Sequence, residues 1–309
     1  MVSLKPFKGT RPFNEEAINI IAPSTDHLSE DNINLISNQN YWNYLKILNP
    51  VGQLKESETL LAAKKHFNAM KKNDVIKQDD RLSFYIYQIS QGDHTQLGFL
   101  ALADINDFLS HKIKGHENTL VNRMNERADQ MVNIETQIGP IYMSYPDDNK
   151  INKLLESFTS LVPDYDFESF DHSFHKLWCI SDPDDIEIIS KQLRSINSLY
   201  IADGHHRMGA MNIISQNYKK YGSQSERNRN CDSVMVAAFP AEQSKIYDYN
   251  RVIENLNGLS KDGFLDKLKK DFKVTISDSA VKPQSNRQFG MYHLGKWYSL
   301  EFIGNIPDE

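Results

Sequence analysis

The sequence predicts an α+β protein, and two patterns in the order of its apolar residues support that class. Segments with apolar residues at helical spacing alternate with short apolar runs typical of strands, but the regular strand–helix–strand repeat of a parallel α/β fold is missing. Two of the apolar runs, 84–90 and 97–103, are separated only by the turn-forming stretch QGDHTQ. This spacing predicts an antiparallel hairpin beside the helices.

The predicted helices share an apolar face and a polar or acidic start. Leu60, Ala63 and Phe67 fall on one side of the helix expected over 57–72. Acidic residues in the first turn of the helix over 182–196 complement the helix dipole. Helices are expected over 29–38, 57–72, 148–161, 182–196, 205–216 and 259–272, and over much of the polar segment 104–139.

The predicted strands are short runs rich in β-branched and aromatic residues. They are expected over 84–90, 97–103, 140–145, 175–180 and 198–202, over 234–239 paired with 245–249, and over 289–302 as a hairpin that turns at Leu294 and Gly295. The predicted organisation is an N-terminal α+β region over 1–150 and a second α+β region over 151–309, with a boundary between 145 and 165. A single compact unit is the alternative.

The overall composition is that of a globular protein and argues against several functional classes. Hydrophobic residues make up 39% of the chain and charged residues 25%, with a net charge of −6. A nucleic-acid binder needs a concentrated basic surface, which the scattered lysine pairs do not supply. We see no signal sequence and no membrane-spanning run, and Cys179 and Cys231 lie in apolar runs that predict buried free thiols. We therefore expect a cytoplasmic protein, with neither membranes nor nucleic acids as partners.

The stretch YIADGHHRMGAMNII, residues 200–214, places polar and flexible residues between two apolar segments. Met208, Met211 and Ile214 recur at helical spacing. The pattern therefore predicts a strand that ends before the polar residues and a helix that begins around His205.

Asp203 and Gly204 form the predicted turn between this strand and this helix. The carboxylate of Asp203 can cap the helix by accepting first-turn N–H groups, and Gly204 lets the backbone turn and a ligand approach closely. His205, His206 and Arg207 then fall in the first turn, where the helix dipole favours an anion. The cationic Arg207 is unfavourable there, and either an anionic ligand, such as a phosphate, or a carboxylate partner would remove the conflict.

Two other interpretations of the histidine pair stay open. The first is a capped helix whose histidines hydrogen-bond into their surroundings. The second is a metal site, although adjacent helical residues point about 100° apart and do not easily share one ion, unlike residues at i and i+4.

A second polar cluster, KGHENT at 114–119, lies in the middle of the chain. It supplies Lys114, His116, Glu117 and Thr119, which suit a phosphate grip, a general base or a metal ligand. An exposed loop is the alternative. The chain lacks the GxxxxGK[ST], HExxH and GxSxG patterns, so the usual nucleotide-loop, zinc-protease and hydrolase interpretations lose their main support.

Taken together, these motifs resemble those of a known family. KPFKGTRP, KGHENT, IGPIYMSY, HKLWCI, YIADGHHR and IYDYNRVIENLNGLS are similar in order and spacing to the motifs of the uncharacterised-domain family DUF1015, from about residue 4 to 302. On this basis the chain is identified as a member of that family over nearly its whole length.

The DGHHR element is also similar to the strand-to-helix element of the ParB/sulfiredoxin-like superfamily. That superfamily includes free-serine kinases, which phosphorylate the hydroxyl of L-serine using ADP or ATP. The resemblance implies a ParB-like α+β core with family-specific additions. In those kinases the aspartate, histidines and arginine of the motif surround the phosphates and the amino acid, and these correspond here to Asp203, His205, His206 and Arg207.

Three departures from the family pattern concern the expected phosphate site. The family usually has Pro-Pro-Tyr-Asp-Val where this chain has PSTDH at 23–27, and Arg-Pro where Leu120 and Val121 follow Thr119. Typical relatives also continue into a segment with a Pro-Pro-Lys-Ser-Thr element, whereas this chain ends at IGNIPDE. These departures predict an incomplete or specialised version of the site.

Three functions are consistent with the motifs and the resemblance. The first is a small-molecule kinase that phosphorylates the hydroxyl of free serine or a similar amino acid with ADP or ATP and Mg²⁺. The second is a catalytically silent regulatory protein that binds a nucleotide or metabolite. The third is a metal-dependent hydrolase or lyase that uses His116, Glu117 and His205. The oligomeric state stays open, with a homo-oligomer included.

In the kinase hypothesis each motif residue has an expected role. The arginine and the lysine hold phosphates, with Mg²⁺ between them, and a histidine binds the carboxylate or phosphate of the substrate. Glu117 or Asp203 orients the attacking hydroxyl or holds the metal. Catalytic roles are thus assigned to Asp203, His205, His206 and Glu117, and phosphate or substrate binding to Gly204, Arg207, Lys114, His116, Thr119 and Arg251.

Overall fold

The computed structural model describes residues 1–13, 17–22, 29–48, 56–221, 229–246, 248 and 250–304. They form two compact units, Met1–Lys245 and Ile246–Glu309, a division that lies later in the chain than the boundary expected between 145 and 165. Both units contain helices and sheets, so the predicted α+β class is confirmed. Within the described ranges, every helix is too short or too polar to span a membrane.

The first unit is built on a nine-stranded mixed sheet. Its strands lie in the order β6-β10-β7-β11-β5-β4-β9-β8, with β1 against β5, while β2 and β3 pair separately. The bounds are β1 (Leu4–Lys5), β2 (Thr10–Pro12), β3 (Ile76–Gln78), β4 (Phe84–Gln91), β5 (His94–Asp104), β6 (Ile113–Lys114), β7 (Ile141–Tyr145), β8 (Tyr165–Glu168), β9 (Phe174–Ile180), β10 (Leu199–Asp203) and β11 (Ser233–Pro240).

The helices of the first unit supply the rest of its core. The predicted starts at acidic or hydroxyl side chains are confirmed, for example at Ser29 and Asp182, whose side chains accept first-turn N–H groups. The bounds are α1 (Ala17–Ile20), α2 (Glu30–Gln39), α3 (Leu45–Leu48), α4 (Glu56–Lys72), α5 (Ile105–Leu109), α6 (Val121–Ile134), α7 (Asn149–Phe158), α8 (Pro183–Leu193) and α9 (His205–Tyr221).

β11 lies in the middle of the sheet, antiparallel to β5 on one side and parallel to β7 on the other. Val234, Val236 and Ala238 are at most 2% exposed, and Ala237 and Phe239, which point to the opposite face, are also buried. The predicted pairing of 234–239 with 245–249 is wrong, because β11 already has a neighbour on each side. The described residues of that stretch, 245, 246 and 248, do not belong to a strand.

The second unit contains one helix and a three-stranded antiparallel sheet in the order β12-β14-β13. The predicted hairpin is confirmed, and Leu294 and Gly295 at its turn both have positive φ, as a two-residue hairpin turn requires. The helix predicted over 259–272 ends earlier, because the alternating residues from Phe272 onward form a strand against β14. The bounds are α10 (Lys261–Leu268), β12 (Phe272–Ser277), β13 (Gln288–His293) and β14 (Lys296–Phe302).

Two further sequence expectations concern single residues and chain ends. Cys179 and Cys231 are free thiols, but they are half-buried rather than buried. Residues 23–27, where the chain departs from the family pattern, lie outside the described residues, as do the last five residues, 305–309.

Candidate functional site

The two polar motifs meet at one edge of the large sheet. β6 and β10 are parallel neighbours, with Lys114 opposite Tyr200, so their carboxyl ends lie side by side. β6 leads through the rest of KGHENT into α6, and β10 leads through Gly204 into α9. α6 packs against α9, and the two helix starts are therefore close together. The carboxyl ends of neighbouring parallel strands are a common place for ligand binding.

Gly204, rather than Asp203, occupies the cap position of α9. The carbonyl of Gly204 accepts the N–H of Met208 at 3.0 Å, which is a helical hydrogen bond. Its φ of +100° is a conformation that residues with side chains rarely adopt. Asp203 is the last residue of β10 and its carboxylate bonds Arg207, so the prediction that Asp203 caps the helix is wrong.

Arg207 is held against the strand end by two oxygen acceptors. Its Nη2 donates to Asp203 Oδ2 at 2.7 Å, and its Nη1 donates to the carbonyl of Pro140. The guanidinium covers Gly204, where a Cβ would be 3.2 Å from Nε and Nη2. A carboxylate within the chain therefore offsets the unfavourable charge in the first turn. Burial raises the pKa of Tyr44, and the positive charge of Arg207 partly opposes that shift.

His205 joins the helix start to the KGHENT loop through both of its ring nitrogens. Its Nε2 accepts the backbone N–H of His116 at 3.2 Å. Because an amide N–H can only donate, the ring proton is on Nδ1, which lies 3.1 Å from Glu117 Oε2. His205 is 6% exposed, and this burial lowers its pKa, although the negative charge of Glu117 opposes the shift. The residue is therefore a neutral imidazole that fixes the position of Glu117.

His206 connects the starts of the two helices. Its Nε2 accepts the backbone N–H of Leu120 at 3.2 Å. Leu120 is the cap residue of α6, and its apolar side chain cannot accept hydrogen bonds from that helix. A histidine on the neighbouring helix thus satisfies a backbone donor at the start of α6.

Lys114 is the last residue of β6 and the lysine of the cleft lining. Its Nζ lies 5.4 Å from the centre of the Tyr200 ring, directly across the β6–β10 pair. A cation–π contact of this kind restrains the long side chain while leaving its charge available to an anion. Tyr200, which the sequence analysis did not single out, therefore helps to orient Lys114.

A cleft of about 740 Å³ opens beside these residues, a volume typical of small-molecule sites. Its polar lining comes from the KGHENT loop, from α9 and from His111, and its apolar lining comes from α5, α6, α9 and the two strands. The polar residues are Lys114, Glu117, Thr119, His205, Asn212 and His111, and the apolar ones are Phe108, Leu109, Ile113, Met124, Ile201 and Ile213.

The structure divides the predicted site residues into groups. Of the predicted site residues, Lys114, Glu117, Thr119 and His205 line the cleft. The ion pair of Asp203 and Arg207 and the adjacent Gly204 lie beside the cleft at the end of β10, and His116 and His206 connect the loop to α9. Arg251 belongs to the second compact unit.

Gly209 is a feature of the site that the motifs did not reveal. A Cβ at this position would overlap with the Sδ of Met124, so the glycine lets α6 and α9 approach closely beside the cleft. An isolated glycine inside a helical pattern was a visible signal for close packing, but the sequence could not name Met124 as its neighbour.

Metal ligands are not grouped in the part of the chain that the structure describes. No three His, Cys, Asp or Glu side chains there lie close enough to hold a metal ion together. In addition, Nε2 of His205 accepts a backbone hydrogen bond and Nδ1 lies 3.1 Å from Glu117 Oε2, so both ring nitrogens face groups within the chain. The hypothesis of a metal-dependent hydrolase or lyase built on His116, Glu117 and His205 therefore has no preformed ligand set to support it.

The fold and the site define an α+β protein with a cleft at the carboxyl ends of two parallel strands. The chain belongs to the family described as "Protein of unknown function (DUF1015)", whose model matches residues 4–307. No curated protein and no solved structure matches it. The likeness of the DGHHR element to the ParB/sulfiredoxin superfamily stays a prediction.

Proposed function

We propose that the first unit is a kinase that transfers a phosphoryl group from ADP or ATP to the hydroxyl of free serine or a similar amino acid. The observation that carries this proposal is the presence of a cation, Lys114, and a carboxylate, Glu117, in one cleft at the ends of two parallel strands. Phosphoryl transfer requires mainly neutralisation of the phosphate charge and a group that orients the attacking hydroxyl.

The proposed phosphate site combines a side-chain charge with backbone donors. Lys114 supplies the charge, and the first turns of α6 and α9 supply N–H groups and the positive ends of two helix dipoles. Mg²⁺ prefers oxygen ligands, so the phosphates of the donor and the exposed Asp203 carboxylate beside the cleft would hold it and leave Glu117 as the base. When bound, Mg²⁺ would neutralise negative charge that develops on the phosphates during transfer.

The proposed base is Glu117, with His205 as the residue that positions it. The side chain of Glu117 is 59% exposed and reachable by a substrate, while one of its oxygens is held by the buried imidazole. In the transfer, the proton of the acceptor hydroxyl goes to the carboxylate and its oxygen forms a bond to phosphorus. The bond between that phosphorus and the bridging oxygen of the donor breaks, which releases the shortened nucleotide.

A second function, a silent nucleotide- or metabolite-binding regulator, is favoured by a different observation. Arg207 is engaged with Asp203 and Pro140, and His205 is engaged with the loop. Groups that the resemblance assigns to phosphates and substrate are therefore used to hold the fold. In this alternative the cleft binds its ligand and transfers nothing.

The two functions are separated by a turnover assay on the full chain. The protein is incubated with ADP or ATP, Mg²⁺ and each of L-serine, L-threonine and L-homoserine, and phosphorylated product is followed by ³¹P NMR. The kinase predicts a phosphorylated amino acid with at least one acceptor. Because general-base catalysis contributes roughly 10²–10⁴-fold, Glu117→Gln should lower the rate by about a hundredfold or more.

The matched control is Glu126→Gln, since Glu126 is an exposed glutamate on α6 outside the cleft lining. It should turn over like the unaltered protein. Nucleotide binding without any phosphorylated product would reject the kinase in favour of the regulator. Equal loss of rate in both variants would show that Glu117 has no special role.

A further inference from the structure

The cleft changes its chemical character along α9. His205 borders the charged end, with Lys114 and Glu117, whereas Ile213 lines the cleft further along the same helix. At 1.5 Å per helical residue, these two positions are about 12 Å apart. The cleft is therefore long enough for an extended ligand with one charged end and one apolar end.

The far end of the cleft is walled by apolar side chains from three helices. Phe108 and Leu109 come from α5, Met124 from α6 and Ile213 from α9. Leu109 is 49% exposed, although it is apolar. The sulfur of Met124 reaches α9 because Gly209 has no side chain, and thioether sulfurs make favourable contacts with aromatic rings. This wall suits a flat aromatic ring far better than a second charged group.

Two polar side chains, His111 and Asn212, line this end of the cleft, and Asn212 is the one that offers an amide. Asn212 lines the cleft next to Ile213, and its Oδ1 accepts a hydrogen bond from Gln216 Nε2 at 3.3 Å, which restrains the amide. An asparagine amide presents a donor and an acceptor together, the pattern that pairs with N6 and N7 of adenine. Guanine presents two acceptors, O6 and N7, at the same edge and matches that amide less well.

We infer that the apolar end of the cleft binds the base of an adenine nucleotide and that Asn212 selects adenine over guanine. This inference rests on the proposed nucleotide site, because it places the phosphates at Lys114 and the base against Phe108 and Met124. It makes Asn212 a specificity-determining residue.

Binding of three ligands tests the inference. Isothermal titration with Mg²⁺ compares ATP, GTP and inorganic tripolyphosphate, which has the phosphates and no base. The full chain should bind ATP more tightly than GTP by on the order of tenfold, as one bidentate amide contact provides, and tripolyphosphate more weakly than both. Asn212→Ala should reduce ATP affinity to that of GTP and leave tripolyphosphate unchanged.

Two further variants keep the test specific. Asn217→Ala is the matched control, because Asn217 is an exposed asparagine on the same helix outside the cleft lining, and it should bind like the unaltered protein. Phe108→Leu should weaken ATP and GTP alike and spare tripolyphosphate.

The outcomes distinguish a failure of this inference from a failure of the proposed function. Equal affinity of the unaltered protein for ATP, GTP and tripolyphosphate would overturn the base site while a phosphate site remained. An Asn212→Ala variant that weakens all three ligands equally would also overturn it. If none of the three ligands binds, the proposed nucleotide function fails and the base site fails with it.

Discussion

His205 and His175, both in the first unit, have a polar partner near each ring nitrogen, but they differ in what surrounds them. His205 lies between the loop backbone and the half-exposed carboxylate of Glu117, beside the cleft. His175, on β9, lies between the Tyr87 hydroxyl, 2.7 Å from Nδ1, and the Ser173 hydroxyl, 2.8 Å from Nε2. An amide N–H donor fixes the neutral form of His205, whereas the hydroxyl partners of His175 can either donate or accept. Burial lowers the pKa of both histidines.

The carboxylates of the two networks, Asp171 and Glu117, differ in what they contact. Asp171 accepts hydrogen bonds from the hydroxyls of Ser169 and Ser173, which lower its pKa although burial opposes them. Ser169 and Ser173 are 8% and 3% exposed, so a substrate cannot reach their hydroxyls. The same residue types therefore stabilise the fold around His175, where Oδ1 of Asp171 is occupied by neighbouring donors, and border the cleft around His205. Both carboxylates are exposed, so the position of Glu117 in the cleft lining, and not exposure, separates the candidate site from the structural network.

The largest expected effect on stability comes from removing His175, the centre of the network with Tyr87, Ser173 and Asp171. His175→Ala leaves Tyr87 and the serine hydroxyls without their partner, and it should lower the free energy of unfolding by about 2–4 kcal/mol. Ligand binding at the cleft should not change. Urea denaturation measures the first quantity and titration the second. His172→Ala is the control, because His172 is an exposed neighbour whose ion pair with Glu168 contributes little. Equal destabilisation by both variants would contradict the comparison.

A smaller effect is expected at the glycine under Arg207. Gly204→Ala imposes a side chain on a φ of +100° and crowds the guanidinium, so it should cost about 1–3 kcal/mol in unfolding free energy. Gly92→Ala is the matched control, since its φ of +56° is also positive while a Cβ there meets none of the described atoms within 4 Å. The difference between the two variants combines the rarer φ at Gly204 with crowding by Arg207 and by Ile141 Cγ2, which a Cβ would approach to 3.2 Å. Greater damage at Gly92 would show that these two effects are unimportant.

The pH dependence of stability should reflect the titration of His175. Because burial lowers the pKa of His175 from its ordinary value of 6.5, the folded state binds its proton less readily than the unfolded state. The contribution of His175 to the free energy of unfolding is therefore complete above pH 6.5. It is lost as the pH falls through the folded pKa, with a slope of at most about 1.4 kcal/mol per pH unit. Melting temperatures between pH 7.5 and 5 should fall less steeply in His175→Ala. An unchanged slope would assign the acid sensitivity to other groups.

The smallest effect on stability is expected at the ion pair beside the cleft. Asp203 is 68% exposed in its side chain, so its bond to Arg207 is well solvated. Asp203→Asn should therefore change the unfolding free energy by less than about 1 kcal/mol. Chemical denaturation gives this value, and a loss several times larger would mean that the pair supports the strand end more than its exposure implies.

The sequence was most informative where neighbours along the chain determine the structure. The turn at Gly204, the helix from His205 and the hairpin at Leu294 and Gly295 are confirmed, because each depends on local backbone preferences. The cap position was misassigned by one residue, because the carboxylate of Asp203 pairs with Arg207, one turn further along, instead of the helix N–H groups.

Contacts between residues that are far apart along the chain could not be predicted from the sequence. Tyr87 and His175 are 88 residues apart, and no spacing rule connects them. β6 has only two residues, Ile113 and Lys114, and so has no detectable alternation, yet it brings the KGHENT loop to the DGHHR turn. The motifs could therefore predict the chemistry of each half of the site, but not which residues line the cleft together.

The shortness of β6 has a consequence for the dynamics of the candidate site. In the described part of the chain β6 is the end strand of the sheet, and β10 retains β7 on its other side when β6 detaches. Lys114 and the loop can therefore move away without unfolding the sheet when the two-residue ladder and the bonds of the His116 and Leu120 N–H groups to α9 break. Backbone amides of residues 113–119 should exchange with deuterated solvent through such local opening, whereas those of β11 should exchange only when the whole unit unfolds.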